Sequence, residues 1–289
     1  MDSLNNLKIV VGVSGGPDSM FLLNKILKEK KYKDLIVCHV NYHLREESNF
    51  DQEIVEKYCK SKNIKLEVLD LNYKTGNVEE WARVQRYYFF QKILKKNNFD
   101  VVCVAHIQND LIETYLIQKQ RQNIVNFYGL KKEQHFDKIK VIRPIIEFKK
   151  SDILKLLHQE NVNYAIDKSN FDTKYLRNKI RKELDESSFE KLLSEIKEKN
   201  KAIEIFYKNN TAKFQNNYFN EDILKEMNDL DKQRFIFEWI KFNGFESAIV
   251  KRKKKLIKEL IKQINSPKNI VFKTNDFTIE KRNKSIFIL

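Results

Sequence analysis

The chain has 289 residues, enough for two domains of ordinary size, and its 55 Lys and Arg against 40 Asp and Glu leave a formal charge of +15 that favours a polyanionic partner such as nucleic acid. No apolar run approaches the roughly 18 residues of a membrane span, and the N-terminal MDSLNNLK lacks a basic region followed by an apolar core, so a cytoplasmic location with no membrane partner is expected. Cys38, Cys59 and Cys103 are odd in number and widely spaced, which fits neither a disulfide framework nor a zinc ribbon, and no metal-ligating residues are assigned.

Lys8 to Val13 reads as a first strand, and it runs into Ser14-Gly15-Gly16-Pro17-Asp18-Ser19 followed by a helical pattern to Lys30. The two glycines allow successive amides to point at one anion, and the new helix aims its positive end at the same spot. Pro17 suits a first helical turn, where its missing donor costs nothing. The loop has neither the Gly-x4-Gly-Lys-Ser/Thr nor the Gly-x-Gly-x-x-Gly spacing, which sets aside two other nucleotide loops.

Further strands are expected at Leu35 to Val40, Ile64 to Leu69, Asp100 to Ala105 and Lys140 to Ile142, with helices at Asn49 to Lys62, Val78 to Lys96 and Asp110 to Lys119 between them. That alternation predicts an α/β fold, a mainly parallel doubly wound sheet covered on both faces, with ligands beyond the carboxyl ends of its strands. From Phe148 to about Glu183 the chain reads as helical, and a long helical stretch follows from Ser187 to the Asn209-Asn210-Thr211 region. Helices near Asp222 to Phe242 and Ala248 to Ile264 come next, and two or three alternating strands follow Pro267. The expected division is a nucleotide-binding domain over 1–185 and, over 186–289, a helical linker with a small basic α+β C-terminal domain.

Four segments outside the loop carry candidate chemistry. His39-Val40-Asn41-Tyr42-His43-Leu44-Arg45 leaves the second strand at the same sheet edge as the loop, although a polar loop with incidental histidines would look alike. Asn77 is placed to cap the third helix, whose Arg83 and Arg86 face one side. If the next helix includes His106, then His106, Asp110, Glu113 and Thr114 share a face, while Asp110 with Glu113 also has the spacing of a capping box. Arg177 and Arg181 lie four apart on a basic helix edge. The run Lys251-Arg252-Lys253-Lys254-Lys255 adds a field that phosphates would feel, in a region where residues 200–289 hold 19 basic residues against 11 acidic ones.

The loop resembles that of the ATP pyrophosphatases, and the blocks together resemble the tRNA(Ile)-lysidine synthetase family. Its ordered motifs are matched by Ser14 to Ser19, His39-Val40 with Leu44-Arg45, Asn77 to Tyr87, Ala105-His106 with Asp110 and Glu113-Thr114, Arg143-Pro144-Ile145, and Asp167 to Arg181. The likeness runs from about residue 8 to 185. The chain departs from the family at Asn41-Tyr42, Ile107 and Asn109, and it reads as a short form.

The resemblance implies an adenine nucleotide alpha hydrolase-like catalytic domain over 1–185 and a tRNA-binding C-terminal part. It implies ATP as a substrate with Mg2+, free L-lysine, and the isoleucine tRNA with a CAU anticodon, and it leaves the choice between monomer and homodimer open. Ser14, Gly15, Gly16, Pro17, Asp18, Ser19, His39 and His106 would bind ATP, and Asp110 and Glu113 would hold lysine. Asp18, Arg83, Asp110 and Glu113 would serve catalysis, and Arg177, Arg181 and Lys251 to Lys255 would contact tRNA. Sulfur transfer on tRNA uses a similar loop but needs reactive cysteines at a spacing absent here.

Overall fold

In the computed structural model the described residues are 2–44, 47–73, 77–166, 176–246 and 253–289. Contacts divide the chain into two compact units, Met1–Thr114 with Gly129–Phe189, and Tyr115–Tyr128 with Glu190–Leu289. The segment 115–128 therefore belongs with the C-terminal residues, a feature that no linear boundary near 185 expresses.

The first unit is built on a six-stranded sheet of β1 (Lys8–Gly12), β2 (Asp34–Asn41), β3 (Lys65–Asp70), β4 (Val101–Cys103), β5 (Glu133–Phe136) and β6 (Ile139–Ile142), in the order β3-β2-β1-β4-β6-β5. All neighbours are parallel except β5, which runs antiparallel to β6. The expected parallel, doubly wound sheet is present. The polar strand β5 escapes sequence reading because Glu133, Gln134 and His135 are all exposed and show no apolar alternation.

Ile9, Val10 and Val11 of β1 are fully buried, with alternate residues in different cores. Ile9 and Val11 pack with Leu22, Leu23 and Ile26 of α1 (Pro17–Glu29), Val55 and Cys59 of α2 (Ser48–Ser61), and Ile153 and Leu157 of α5 (Lys150–Gln159). Val10 faces Tyr87, Phe90, Ile93 and Leu94 of α3 (Val78–Asn97). Asn77 caps α3 as expected, accepting from the amides of Glu79 and Glu80 at 3.1 and 3.3 Å. The sheet order turns back between β1 and β4, so the loop after β1 opens at a topological switch point.

Two helical expectations need correction. The stretch expected to be helical from 148 to 183 holds α5 and α6 (Leu176–Glu183), with residues 162–166 in no regular element and 167–175 outside the described residues. The Ala165 amide instead donates to the Gly15 carbonyl at 2.9 Å, tying this segment to the loop. The single helix expected from 222 to 242 is α8 (Asp222–Lys225) and α9 (Asp229–Ile240), broken where Asn228 caps the amides of Leu230 and Asp231.

Helix α4 (Gln108–Gln120) begins in the first unit and its part from Tyr115 onward belongs to the second, which also contains α7 (Phe189–Phe214) from Glu190 onward and α10 (Lys253–Ile264). Its antiparallel sheet comprises β7 (Tyr218–Asn220), β8 (Ile270–Lys273), β9 (Thr278–Arg282) and β10 (Ser285–Ile288), in the order β7-β10-β9-β8. The three C-terminal strands match expectation, and β7 is too short to be read from periodicity. Trp239, Phe235, Phe214, Ile257 and Leu260 are fully buried in its core. Among the described residues no helix is long and apolar enough to cross a membrane.

A Cβ added at Gly12 would lie 2.6 Å from Cζ of the buried Phe90 ring. Gly12→Ala is therefore expected to lower unfolding stability by about 1–3 kcal/mol through overpacking, with Phe90→Leu restoring part of the loss. Urea midpoints of the two variants check this, and an unchanged midpoint for Gly12→Ala would contradict the packing.

Candidate active site

The loop after β1 is closed by its own hydroxyls. The Ser14 amide donates to Ser19 Oγ at 3.2 Å, Ser19 Oγ donates to the Gly16 carbonyl at 2.9 Å, and the Ser14 hydroxyl lies 3.2 Å from Ser19 Oγ. Gly15 has φ +91°, and a Cβ there would sit 2.7 Å from the Asp51 carbonyl oxygen, so only glycine fits. At Gly16 a Cβ would meet only Ser14 Oγ at 3.6 Å. Gly16 is the N-cap of α1 and provides no side-chain cap, which leaves first-turn amides available to an anion.

His39 is buried beside this loop. Its Nδ1 donates to the Val13 carbonyl at 2.9 Å, while Nε2 is buried with no hydrogen-bond partner among the described residues. Burial pushes its pKa below the ordinary 6.5, so the ring is a neutral acceptor at Nε2. Asp18, on the first turn of α1, pairs with Lys150 Nζ at 2.7 Å. Burial raises the Asp18 pKa, opposed by Lys150. Lys150 opens α5 and was not singled out by sequence pattern.

Helix α4 begins at Gln108, so His106 precedes it. Asp110 accepts the Ile107 amide at 2.9 Å and occupies the third helical position, which is the reciprocal half of a capping box. The box expected between Asp110 and Glu113 is thus displaced by three residues, because the apolar run through Ile107 hides where the strand ends and the helix starts. Glu113, one turn along, has a side chain only 1% exposed and accepts Arg181 Nε and Nη2 at 2.7 and 3.0 Å. Arg177 Nε lies 3.8 Å from the same carboxylate, and its Nη1 donates to Glu79 at 2.9 Å. Burial raises the Glu113 pKa against the pull of Arg181.

Opposite these carboxylates lies a concentration of positive charge. Arg143 follows β6, is buried, and donates from Nε to His106 Nδ1 at 3.1 Å. Burial, then Arg143, Arg86, Arg83 and Arg177, depress the His106 pKa to about 3. Arg83 rests 5.3 Å from both the Tyr87 and Phe136 rings, which stack at 4.3 Å. Arg86 Nε is buried without a hydrogen-bond partner among the described residues. Arg143 carries no assigned role from the sequence, where it appears only within the matched block Arg143-Pro144-Ile145 at the end of an apolar strand.

A PP-loop domain model matches residues 1–187. The tRNA(Ile)-lysidine synthase of Mycoplasma mycoides is 42% identical over 98% of this chain and 73% of its own length. That of Mycoplasmopsis pulmonis is 36% identical over 97% of this chain and 99% of its own. The chain belongs to the PP-loop family, among the tRNA(Ile)-lysidine synthases. A U34-tRNA thiolase from Methanococcus maripaludis, solved with a [4Fe-4S] cluster, shares the fold at TM-score 0.59 and 17% identity, covering 71% of this chain and 74% of that one.

The cysteines of this family member do not suit sulfur chemistry. Cys38, Cys59 and Cys103 are buried and free, and burial raises each thiol pKa, that of Cys59 to about 11. No group of three or more His, Cys, Asp or Glu among the described residues is arranged to hold a metal. Of the basic residues expected at tRNA, Arg177 and Arg181 stand among the site's carboxylates, Lys253 and Lys254 open α10, and Lys255 is exposed. Lys251 and Arg252 lie outside the described residues.

His39 and His106 are both neutral in the fold, with pKa values below the unfolded 6.5. Their stabilising contribution is full above that value and is lost as pH falls towards the folded pKa, because the unfolded chain binds the extra protons. The urea midpoint is expected to fall between about pH 7 and pH 5, and the His39→Asn, His106→Asn double variant to fall less steeply. Equal slopes for the two proteins would contradict burial as neutral rings.

Proposed function

We propose that this chain joins lysine to C2 of the wobble cytidine of the CAU-anticodon isoleucine tRNA, forming lysidine and changing decoding from AUG to AUA, with ATP cleaved to AMP and pyrophosphate. The observation that carries this reading is a pair of adjoining subsites of opposite charge. An uncapped glycine loop and unpaired Arg86 Nε suit phosphates, while Asp110 and Glu113 on α4 suit a cationic amino acid.

In the first step the cytidine C2 oxygen attacks the α-phosphorus of ATP. The new oxygen–phosphorus bond forms as the bond to the bridging oxygen breaks, and pyrophosphate leaves into the backbone amides of Gly15, Gly16, Asp18 and Ser19, the Ser14 amide being taken by Ser19 Oγ. Arg83 and Arg86 offset the added negative charge on the α-phosphoryl group. Nε2 of His39 is free to accept from a nucleoside hydroxyl or amine.

Mg2+ fits this arrangement, because it takes most of its ligands from phosphate and water and needs only one or two carboxylates. Asp18 is the carboxylate the loop offers, and when bound the ion would share the charge of the pyrophosphate.

In the second step the lysine ε-amine attacks C2, the C2–oxygen bond breaks, and AMP departs. A free amine of pKa about 10.4 is protonated near neutral pH, so a carboxylate must hold the cation and help remove its proton. Asp110 and Glu113 supply that pair, and Arg181 keeps Glu113 oriented through its two hydrogen bonds. The second unit, with the exposed Lys255 and the basic excess of residues 200–289, supplies contacts to tRNA phosphates, and we place the reaction in the cytoplasm.

Transfer of labelled lysine to purified tRNA tests the reading. Label is expected on the CAU isoleucine tRNA only with ATP and Mg2+, and not on methionine tRNA; pyrophosphate release without lysine transfer would overturn it. Asp110→Asn is expected to raise the lysine KM roughly 10- to 100-fold, the loss of one charge-assisted hydrogen bond, while ATP-dependent pyrophosphate release changes far less. Equal loss of both activities would remove Asp110 from the lysine subsite.

A further inference from the structure

Every nitrogen of the Arg143 guanidinium has a partner. Nη1 donates to the Lys131 carbonyl at 2.7 Å, Nη2 to Gln134 Oε1 at 3.3 Å, and Nε to His106 Nδ1 at 3.1 Å. The first two contacts lie just before and within β5, which pairs with β6, so the fork is held against the sheet edge and cannot turn away from His106. A guanidinium only donates, so Nδ1 must accept, and a neutral imidazole that accepts at Nδ1 carries its proton on Nε2.

We propose that Arg143 is a positioning residue that locks His106 as the Nε2–H tautomer, so that His106 presents a neutral hydrogen-bond donor to a phosphoryl oxygen of the nucleotide. The identity of that acceptor rests on the function proposed above; the tautomer does not. Among the described residues the cations Arg143 after β6, Arg86 and Arg83 on α3 and Arg177 on α6 act on His106, which favours an anionic acceptor. Asp110 on α4 is the carboxylate acting on Arg143 itself. Burial of the ring and this charge hold the His106 pKa well below the ordinary imidazole value, so the ring of the free protein is neutral near neutral pH. A neutral donor can stabilise the phosphoryl group without handing a proton to the amine that must attack next. His39 has the opposite polarity, with its proton on Nδ1 and a bare Nε2.

Long-range proton–nitrogen NMR spectra of the intact protein test the tautomer without substrate, and with five histidines in the chain His106 is assigned by the loss of one signal in His106→Gln. Expected are a protonated Nε2 and an unprotonated Nδ1, unchanged between about pH 6 and pH 8. A protonated Nδ1, or an ordinary titration in that range, would overturn the proposal whatever reaction the protein performs. Arg143→Lys keeps the charge but loses the Nε donor. It is expected to give a mixture of tautomers and to slow pyrophosphate release roughly 10- to 100-fold, as loss of a partner behind a functional histidine does. In the His106→Gln background, where an amide N–H needs no tautomer, Arg143→Lys should cost less than about threefold. An equal loss in both backgrounds would make Arg143 a structural residue only; should Arg143→Lys fail to fold, the wild-type spectrum alone decides.

Discussion

Positive charge from Arg143, Arg86, Arg83 and Arg177 acts on His106, and holding that charge at one edge of the sheet is the constraint on which the site depends. Each is accommodated differently. Arg83 lies against the Tyr87 and Phe136 rings, Arg143 is held by a carbonyl, an amide and a neutral imidazole, and Arg177 reaches Glu79. Among the described residues, Arg83, Arg86 and Arg143 have no carboxylate in direct contact. Of these cations only Arg143 is buried, and its three hydrogen bonds offset the cost of taking a charge out of water. Two of the carboxylates have cationic partners of their own, Asp18 with Lys150 and Glu113 with Arg181.

The sheet brings the groups of the site to one edge. β1 is buried on both faces and delivers the loop at the switch point, while β2, β4 and β6 deliver His39, His106 and Arg143 at the same edge. Gly15 is wedged beneath the Asp51 carbonyl and receives the Ala165 amide, so α2 and the segment after α5 both fix the loop. The rigidity of the cradle comes from these backbone contacts rather than from the charged groups.

Much of this was legible before any coordinates. The loop, the parallel strands and the cap at Asn77 follow from local chemistry: apolar runs, a glycine pair and an Asn ahead of two glutamates. Contacts between distant residues were not legible. Nothing local in Arg143 announces a hydrogen bond to a histidine 37 positions earlier, and Lys150 gives no hint of reaching Asp18 across 132 positions. The register of α4 was misread because Val104, Ala105 and Ile107 continue the apolar signal of β4 through the turn. Arg181 reads by spacing only as part of a basic helix edge, yet it pairs with the buried Glu113 of α4, 68 positions earlier. β5 was invisible because an edge strand with exposed polar residues carries no periodic signature.

The central claim is that one site first places AMP on the cytidine oxygen and then exchanges it for lysine. Incubating the CAU isoleucine tRNA with ATP labelled at the α-phosphorus, without lysine, tests this most directly. The account predicts label that stays with the tRNA after acid quenching and leaves as AMP when lysine is added. Label that never joins the tRNA, although pyrophosphate is released, would contradict it and direct the search to another acceptor of the adenylyl group.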